Sequence, residues 1–190
     1  MTDFHQEGVI TTLHALHEAF DREAYLSSLE RKLEEYSRHQ KITLLLPSLF
    51  SEILNPEVLD QILYGIEKVN YLRRVVIALG GAQKEEQFQE AKAYFRRLLS
   101  SELDVKMVWV DGPRIQQVFE QIQAREISTG VQGKGQSVWM ALGYILAMED
   151  CDIIALHDCD IVDYDRVLLG RLIEPTANPN NDFQFCKGYY

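Results

Sequence analysis

The stretch CDIIALHDCDIVDYDRVLLGRLI, residues 151–173, joins an apolar run, a cluster of aspartates and a helical pattern in immediate succession. Residues 151–157 are predicted to form a buried strand, and residues 164–173 have the spacing of a helix. The carboxylates between them would repel one another unless water, a helix N-terminus or a cation lies among them. A buried strand that leads through polar residues into a helix is typical of one βα unit of a parallel sheet.

The same alternation runs through the rest of the chain. Further strands are predicted at residues 41–46, 73–79 and 105–110, and a fifth strand at residues 182–190. Helices are predicted after Asp21, from Asn55 as N-cap to Val69, over 84–99, from Pro113 to about Arg125, and after the polar loop at 128–136. Strands that alternate with helices predict a doubly wound, mostly parallel sheet covered on both faces. In such sheets ligands bind beyond the carboxyl ends of the strands.

We expect an N-terminal helical extension at residues 1–40 and one α/β domain at residues 41–190. In the extension, Leu26, Leu29, Leu33 and Tyr36 share one face of the helix that Asp21 caps. The predicted fifth strand would leave an apolar edge, and such an edge favours self-association, here expected as a homodimer.

Composition narrows the classes of partner. The 190-residue chain has 46% hydrophobic and 25% charged residues and a net charge of −10, without a basic stripe, so neither nucleic acid nor an anionic membrane is an expected partner. The three cysteines are odd in number and lack a CxxC spacing, which favours a reducing compartment. The first residues do not resemble a signal peptide, and the longest apolar run is too short to span a bilayer. These features predict a cytoplasmic protein.

Asp158 and Asp160 form a D-x-D pair just past a buried strand. Hard carboxylate oxygens suit Mg²⁺ or Mn²⁺, with a substrate phosphate completing the ligand shell. Alternatively, Asp158 is solvated while Asp160 or Asp163 caps the next helix. The letters DCDIV also fit the nucleophile box of haloacid-dehalogenase-type phosphatases, but only 30 residues follow Asp160 and they lack the acidic pair that those enzymes place downstream.

Two further segments are candidate phosphate and base sites. GVQGKGQ, residues 130–136, fails the Walker pattern, yet flexible glycines around Lys134 would let its ammonium and the backbone approach a diphosphate. PSLFSE, residues 47–52, follows a strand and would hold a base. Each segment has a plain alternative, a surface loop for the first and a strand-to-helix turn capped by Ser51 for the second. His157 is expected to be a strand-end residue hydrogen-bonded to the backbone rather than a catalytic base.

Taken in chain order, P-S-L-x-S-E after the first strand, G-K-G before an apolar helix and a strand ending in D-C-D resemble a GT-A glycosyltransferase. The block GKGQSVWMALGYILA…IIALHDCDI resembles most closely the retaining glucosyl-3-phosphoglycerate synthase and mannosylglycerate synthase group. This resemblance runs from about residue 41 to the C-terminus, and the first 40 residues contribute nothing to it. It implies that residues 41–190 are a GT-A nucleotide-sugar-binding domain that is incomplete at its C-terminus.

The resemblance implies a role for each matching position. Pro47, Ser48, Leu49 and Glu52 would contact the nucleoside of the donor, and Gly133 and Lys134 its diphosphate. Asp158 and Cys159 would contact the donor, Asp158 through ribose or metal-bound water, and Asp160 would ligate Mg²⁺ or Mn²⁺. Asp158 and Asp160 would be the residues closest to the chemistry.

The chain also departs from that group's pattern. Phe50-Ser51 stands where the group has Asn-Glu, so Glu52 takes the glutamate's role only if the turn is one residue longer. ALGG, residues 78–81, replaces the residue that reads uracil, which leaves UDP and GDP donors open. Because the group's third metal ligand and acceptor contacts follow D-x-D, the acceptor half is expected to be missing from these 190 residues.

The expected function is therefore metal-dependent, retaining transfer of a hexose from a UDP-glucose or GDP-mannose type donor to a small hydroxy acid such as 3-phosphoglycerate or glycerate. The 190 residues alone are expected to be inactive. The alternative is a GT-A-like module that binds a nucleotide sugar or a partner protein without turnover.

Overall fold

The structure, a computed structural model, describes residues 21–99 and 101–188. Its centre is one parallel sheet of four strands in the order β3-β2-β1-β4. The strands are β1 (Ile42–Leu49), β2 (Arg74–Gly80), β3 (Asp104–Trp109) and β4 (Ile153–Leu156). The helices are α1 (Arg22–Tyr36), α2 (Phe50–Leu54), α3 (Glu57–Glu67), α4 (Glu85–Leu98), α5 (Pro113–Gln123), α6 (Lys134–Ala147) and α7 (Arg166–Ala177).

Helices cover both faces of this sheet, because alternate strand residues point to opposite sides. Leu44 and Leu46 of β1 pack in the larger core with residues from α1, α3, α4 and α7. Leu45 between them packs in the smaller core with Phe119 of α5 and Met140 of α6. The predicted doubly wound, parallel α/β fold is confirmed.

The two central strands are longer at their carboxyl ends than the sequence pattern predicted. Strand β1 continues through Pro47 and Ser48 to Leu49, which pairs with Gly80 of β2. Pro47 is tolerated within the strand because the pairing with β4 stops at Leu45, so this stretch of β1 pairs only with β2. The segment 47–49 is therefore part of the strand, which was predicted to end at residue 46.

Two predictions about individual elements are wrong: the N-cap of α3 and the fifth strand. Helix α3 has Pro56 as its N-cap, while Asn55 ends the short helix α2 through a bond from its N–H to the Glu52 carbonyl oxygen. Residues 182–188 form no strand, so β4 is an edge of the described sheet and the predicted self-association through a fifth strand loses its basis. An apolar segment becomes a strand only where another strand pairs with it, and its own sequence does not supply that partner.

Helix α1 is packed into the main core. Asp21 caps it by accepting a hydrogen bond from the Ala24 N–H at 2.9 Å, as predicted. Leu29 and Leu33 are buried, and Leu29 lies so close to Gly170 of α7 that a Cβ on that glycine would be 2.7 Å from it. Residues 1–20 of the predicted extension lie outside the described residues. None of the described helices is long and apolar enough to cross a membrane.

Candidate functional site

Three of the segments singled out by the sequence meet at the carboxyl edge of the sheet. The central contact is an ion pair between the Lys134 Nζ and the Asp158 Oδ1, 2.6 Å apart. Asp158 follows β4, whereas Lys134 is the first residue of α6. The pair therefore joins the D-x-D motif to the glycine-rich segment, as their predicted common location requires.

Lys134 lies in the first turn of α6, not in the glycine loop where the sequence pattern had placed it, and Gly133 is the N-cap. A Cβ at Gly133 or Gly135 would meet no atom within 4 Å. The described structure gives the N-cap of this 14-residue helix no side-chain hydrogen bond, and the first N–H groups of a helix have no intrahelical partner. The positive end of the helix dipole thus lies beside the Lys134 ammonium. Such a terminus is suited to an anion, including a diphosphate.

The carboxylates around Lys134 favour its charged form. Burial alone would lower its pKa, but the hydrogen bond to Asp158 and the negative charges of Asp158, Asp160 and Glu52 outweigh it and raise the pKa. The side chains of Lys134 and Asp158 are 49% and 46% exposed, so a ligand can reach both. The ion pair can thus be opened by an incoming phosphate that offers Lys134 a second anion.

The end of β1 is organised by Glu52, which caps α2. Its Oε2 accepts hydrogen bonds from the Ser48 Oγ and from the Leu49 N–H, each at 2.9 Å. The turn capped by Ser51, one alternative from the sequence, is therefore wrong: Glu52 makes the cap. Ser48 is buried and occupied by this bond, whereas Leu49 is about half exposed.

Cys159 points away from the acidic side chains on either side of it. It is 2% exposed, and its thiol packs in the main core. Burial and the charge of Glu52 raise the pKa of the thiol, against a hydrogen bond with Ser48. The Cys159 sulfur is therefore buried, and any donor contact of this residue would come from its main chain.

Asp160 is exposed and does not cap the following helix. Asp165 makes that cap, accepting a hydrogen bond from the Val167 N–H at 2.8 Å, so the alternative in which Asp160 or Asp163 is the cap is wrong. The described residues contain no group of three or more His, Cys, Asp or Glu placed to hold a metal ion. One or two exposed carboxylates fit Mg²⁺ or Mn²⁺ held partly by substrate phosphate, and do not fit a cage made wholly by the protein.

His157 is a buried strand-end residue, as predicted. Its Nδ1 lies 2.9 Å from the Asp158 carbonyl oxygen, and its Nε2 lies 3.4 Å from the Tyr164 hydroxyl. Burial lowers the pKa of the imidazole, against the hydrogen bond and charge of Asp158. A neutral, enclosed ring of this kind supports the backbone and is not available to a substrate.

Sequence reasoning missed Asp111, which follows β3 at the same edge. Its Oδ2 accepts a bond from the Gly81 N–H at 2.6 Å, and its Oδ1 accepts one from the Gln132 side-chain amide at 3.3 Å. Asp111 thus ties the end of β2 to the loop before α6. The sequence feature that could have identified Asp111 is its position in VWVDGP, residues 108–113, directly after the predicted strand.

Comparison with known proteins bears out the predicted resemblance. No family model matches the chain. A glucosyl-3-phosphoglycerate synthase of Persephonella marina is 42% identical over 190 residues, which are 100% of this chain and 45% of that protein. One of Methanococcoides burtonii is 36% identical over 195 residues, covering 99% of this chain and 43% of that protein.

This similarity includes the first 40 residues, where the sequence analysis found no match. The chain spans about half the length of the curated relatives that it matches. Among solved structures, a glucosyl-3-phosphoglycerate synthase of Mycobacterium tuberculosis in complex with Mn²⁺, UDP and glucosyl-3-phosphoglycerate is 18% identical, with a TM-score of 0.48, over 78% of this chain and 44% of that one.

Proposed function

We propose that this relative of the glucosyl-3-phosphoglycerate synthases binds a nucleotide-diphosphate sugar and, in a chain that also has an acceptor site, transfers the hexose with retention to a small hydroxy acid. The donor is of the UDP-glucose or GDP-mannose type, and the acceptor is 3-phosphoglycerate or glycerate. The observation that carries the proposal is the 2.6 Å ion pair of Lys134 with Asp158 beside the exposed Asp160, at the carboxyl edge of a parallel sheet. Identity of 42% with a synthase of this kind supports the choice of reaction.

The residues of the site bind different parts of the donor. Lys134 and the N-terminus of α6 hold the diphosphate, because a cation and N–H groups without an intrahelical partner lie together there. The main chain at Pro47 to Leu49 lines the nucleoside, held in place by the cap that Glu52 makes. Asp158, released from Lys134 by the phosphate, is free to accept a hydrogen bond from the ribose.

Asp160 is the residue that would hold a divalent metal. A Mg²⁺ or Mn²⁺ ion bound there supplies Lewis-acid neutralisation of the charge that develops on the nucleoside diphosphate as it leaves. Asp160 contributes a hard oxygen ligand at the open edge, where phosphate oxygens and water can complete the shell. The Lys134 ammonium would neutralise further charge on the diphosphate.

Asp160→Asn tests this assignment against a matched variant, Asp163→Asn. The two substitutions remove the same charge from one exposed loop, and asparagine tolerates the left-handed backbone of Asp163, where φ is 57°. Calorimetry with UDP and with GDP, with and without Mg²⁺ or Mn²⁺, should show that metal strengthens binding to the wild type and to Asp163→Asn but not to Asp160→Asn. Equal metal dependence in all three proteins would contradict the role of Asp160.

A donor carrying a radiolabelled hexose then separates transfer from binding alone. UDP-glucose and GDP-mannose are incubated with 3-phosphoglycerate and with glycerate, using a chain as long as the curated relatives. Label transferred to the acceptor, with metal and Asp160 both required, is the expected result. Donor binding without transfer would instead support the alternative of a non-catalytic GT-A-like module.

A further inference from the structure

The segment that carries both aspartates, residues 158–163, is here called the acidic loop. It is flanked by the buried ring of His157 and the partly buried ring of Tyr164. His157 precedes it and Tyr164 follows it, with ring centroids 5.2 Å apart. A carbonyl oxygen only accepts hydrogen bonds, so the His157 Nδ1, 2.9 Å from the Asp158 oxygen, must carry a proton. In a neutral ring the Nε2 is then an acceptor, and the Tyr164 hydroxyl at 3.4 Å is its donor.

Tyr164 is in turn fixed by helix α3. A Cβ at Gly65 would lie 2.7 Å from the Cε1 of the Tyr164 ring, so the ring packs directly on the glycine backbone. Tyr164 also packs against the main core. Burial and the charge of Asp165 raise the pKa of its hydroxyl, which keeps the proton it donates. A chain of contacts thus connects α3, through Tyr164 and His157, to the main chain of Asp158. These contacts are here called the restraint on the acidic loop.

The second half of the acidic loop has few side-chain contacts of its own, whereas its first half is held by Cys159 in the core and by the ion pair of Asp158 with Lys134. Val162 is 70% exposed, Asp160 and Asp163 are exposed, and Asp163 has a left-handed backbone. A loop of this kind holds a carboxylate in one place only if its ends are fixed, and small displacements of a ligand atom lower affinity.

We propose that His157 and Tyr164, seated on Gly65, are positioning residues that set the geometry of the acidic loop and so of the Asp158 and Asp160 carboxylates. Neither residue touches the donor, and both act through the Asp158 main chain. The inference rests on the proposed function for its effect on ligand binding. The loop restraint itself is a property of the free protein.

Two variants disturb this restraint at different points, and each has a matched control. Tyr164→Phe removes one hydroxyl and keeps the ring, and its control is Tyr64→Phe, because Tyr64 is an exposed tyrosine next to Gly65. Gly65→Ala pushes against the Tyr164 ring, and its control is Gly143→Ala, because a Cβ there would meet nothing within 4 Å. Alanine is the better helix former in both glycine variants, so neither is expected to lose helix stability.

Hydrogen exchange of the full chain without ligand is the first measurement. The amides of residues 158–163 should exchange several-fold faster in Tyr164→Phe and Gly65→Ala than in the wild type or the controls, while those of β2 stay unchanged. This readout needs neither metal nor nucleotide. It therefore decides the inference even if the proposed function fails, which would appear as no metal-dependent UDP binding by the wild type.

The second measurement is the affinity for UDP with Mn²⁺ beside the affinity for uridine alone. Losing one hydrogen bond in the restraint should weaken metal-dependent UDP binding by about 3- to 10-fold. Uridine binding should weaken less, because uridine shares only the Asp158 contact with the ribose and not the metal contact of Asp160. The melting temperature of Tyr164→Phe should stay close to that of Tyr64→Phe. Unchanged exchange in residues 158–163 for both variants would overturn the inference. An equal loss of uridine and UDP affinity with a lowered melting temperature would also overturn it, since that indicates general damage.

Discussion

At the scale of single residues, Lys134 is the cation of the site and Asp158 is its partner in the free protein. Replacing Lys134 removes an attraction for phosphate and also leaves Asp158 as an unbalanced negative charge. Both changes disfavour the negatively charged diphosphate, whereas in the nucleoside only the ribose contact of Asp158 is affected. A substitution of Lys134 is therefore predicted to weaken binding of the diphosphate more than binding of the nucleoside.

Lys134→Ala should weaken binding of UDP far more than binding of uridine. A hydrogen bond to a charged group contributes about 1.5–3 kcal/mol, and the exposure of Lys134 reduces this, so a loss of about 5- to 30-fold in UDP affinity is expected. Calorimetry on both ligands measures it, with the exposed Lys68→Ala as control. If uridine and UDP lose affinity equally, Lys134 shapes the pocket and does not contact phosphate.

At the scale of elements, strands β2 and β3 are joined at their N-terminal ends by a buried arginine. The side chain of Arg74 is 7% exposed, and its Nε donates to the Asp104 Oδ2 at 2.7 Å. Asp150, just before β4, lies 3.4 Å from the same guanidinium. Three segments of the sheet therefore share one cation on the edge opposite the site.

Asp104→Asn should destabilise the protein in a pH-dependent way. Burial alone would raise the pKa of Asp104, but hydrogen bonds from Lys106 and Arg74 and their charges lower it below its ordinary value of 3.8. A lowered pKa in the folded state gives stability that is present above 3.8 and is lost as the pH falls through the folded value. The variant should cost about 1.5–3 kcal/mol at pH 7, because it leaves Arg74 less well paired.

Urea unfolding across the pH range measures this difference. The gap in unfolding free energy between wild type and Asp104→Asn should narrow as the pH falls below about 4. The exposed Asp163→Asn serves as control, with little effect at any pH. A gap that is independent of pH would show that the Asp104 charge does not contribute to stability.

Helix α1 gives a second prediction at this scale, because its packing against α7 makes it part of the main core. Leu33 is fully buried, and truncating a buried leucine to alanine costs about 2–5 kcal/mol. Leu33→Ala should therefore lower the unfolding free energy by that amount, while Leu146→Ala, at a 69% exposed residue of α6, should have little effect. Equal effects would mean that α1 is not packed as described.

At the scale of the whole molecule, the described site is open to solvent along the carboxyl edge of the sheet. Lys134 and Asp158 are each about half exposed, and β4 is an edge strand of the described sheet. The curated relatives are about twice as long as this chain. Under the proposed function, we predict that the donor site and the acceptor site lie in different parts of the polypeptide.

Residues 1–190 expressed alone should bind the metal complex of UDP weakly and transfer no sugar. Holding two reactants in line can supply about 7–11 kcal/mol of a barrier, and an open edge does not hold an acceptor. The radiolabel assay, run on this chain and on one of the relatives' length, compares the two directly. Robust transfer by residues 1–190 would show that the acceptor site lies within them.

The sequence alone was sufficient to predict the alternation of strands and helices and the positions of Lys134, Asp158 and Asp160 relative to them. The alternation of apolar strands with helical patterns predicted the doubly wound sheet, and D-x-D after a buried strand predicted where Asp158 and Asp160 lie. Glycines before an apolar helix singled out Lys134. These features depend on residues close together in the chain, where side-chain periodicity records which face is buried.

The tertiary structure decided everything that depends on pairing between distant segments. Strand β1 reaches Leu49 because β2 pairs with it there, and residues 182–188 form no strand because nothing described pairs with them. Asp111 reaches Gly81, and Tyr164 rests on Gly65, across separations that no local pattern records. Periodicity states that a side chain is buried, but which neighbour buries it is fixed only when the whole chain has packed.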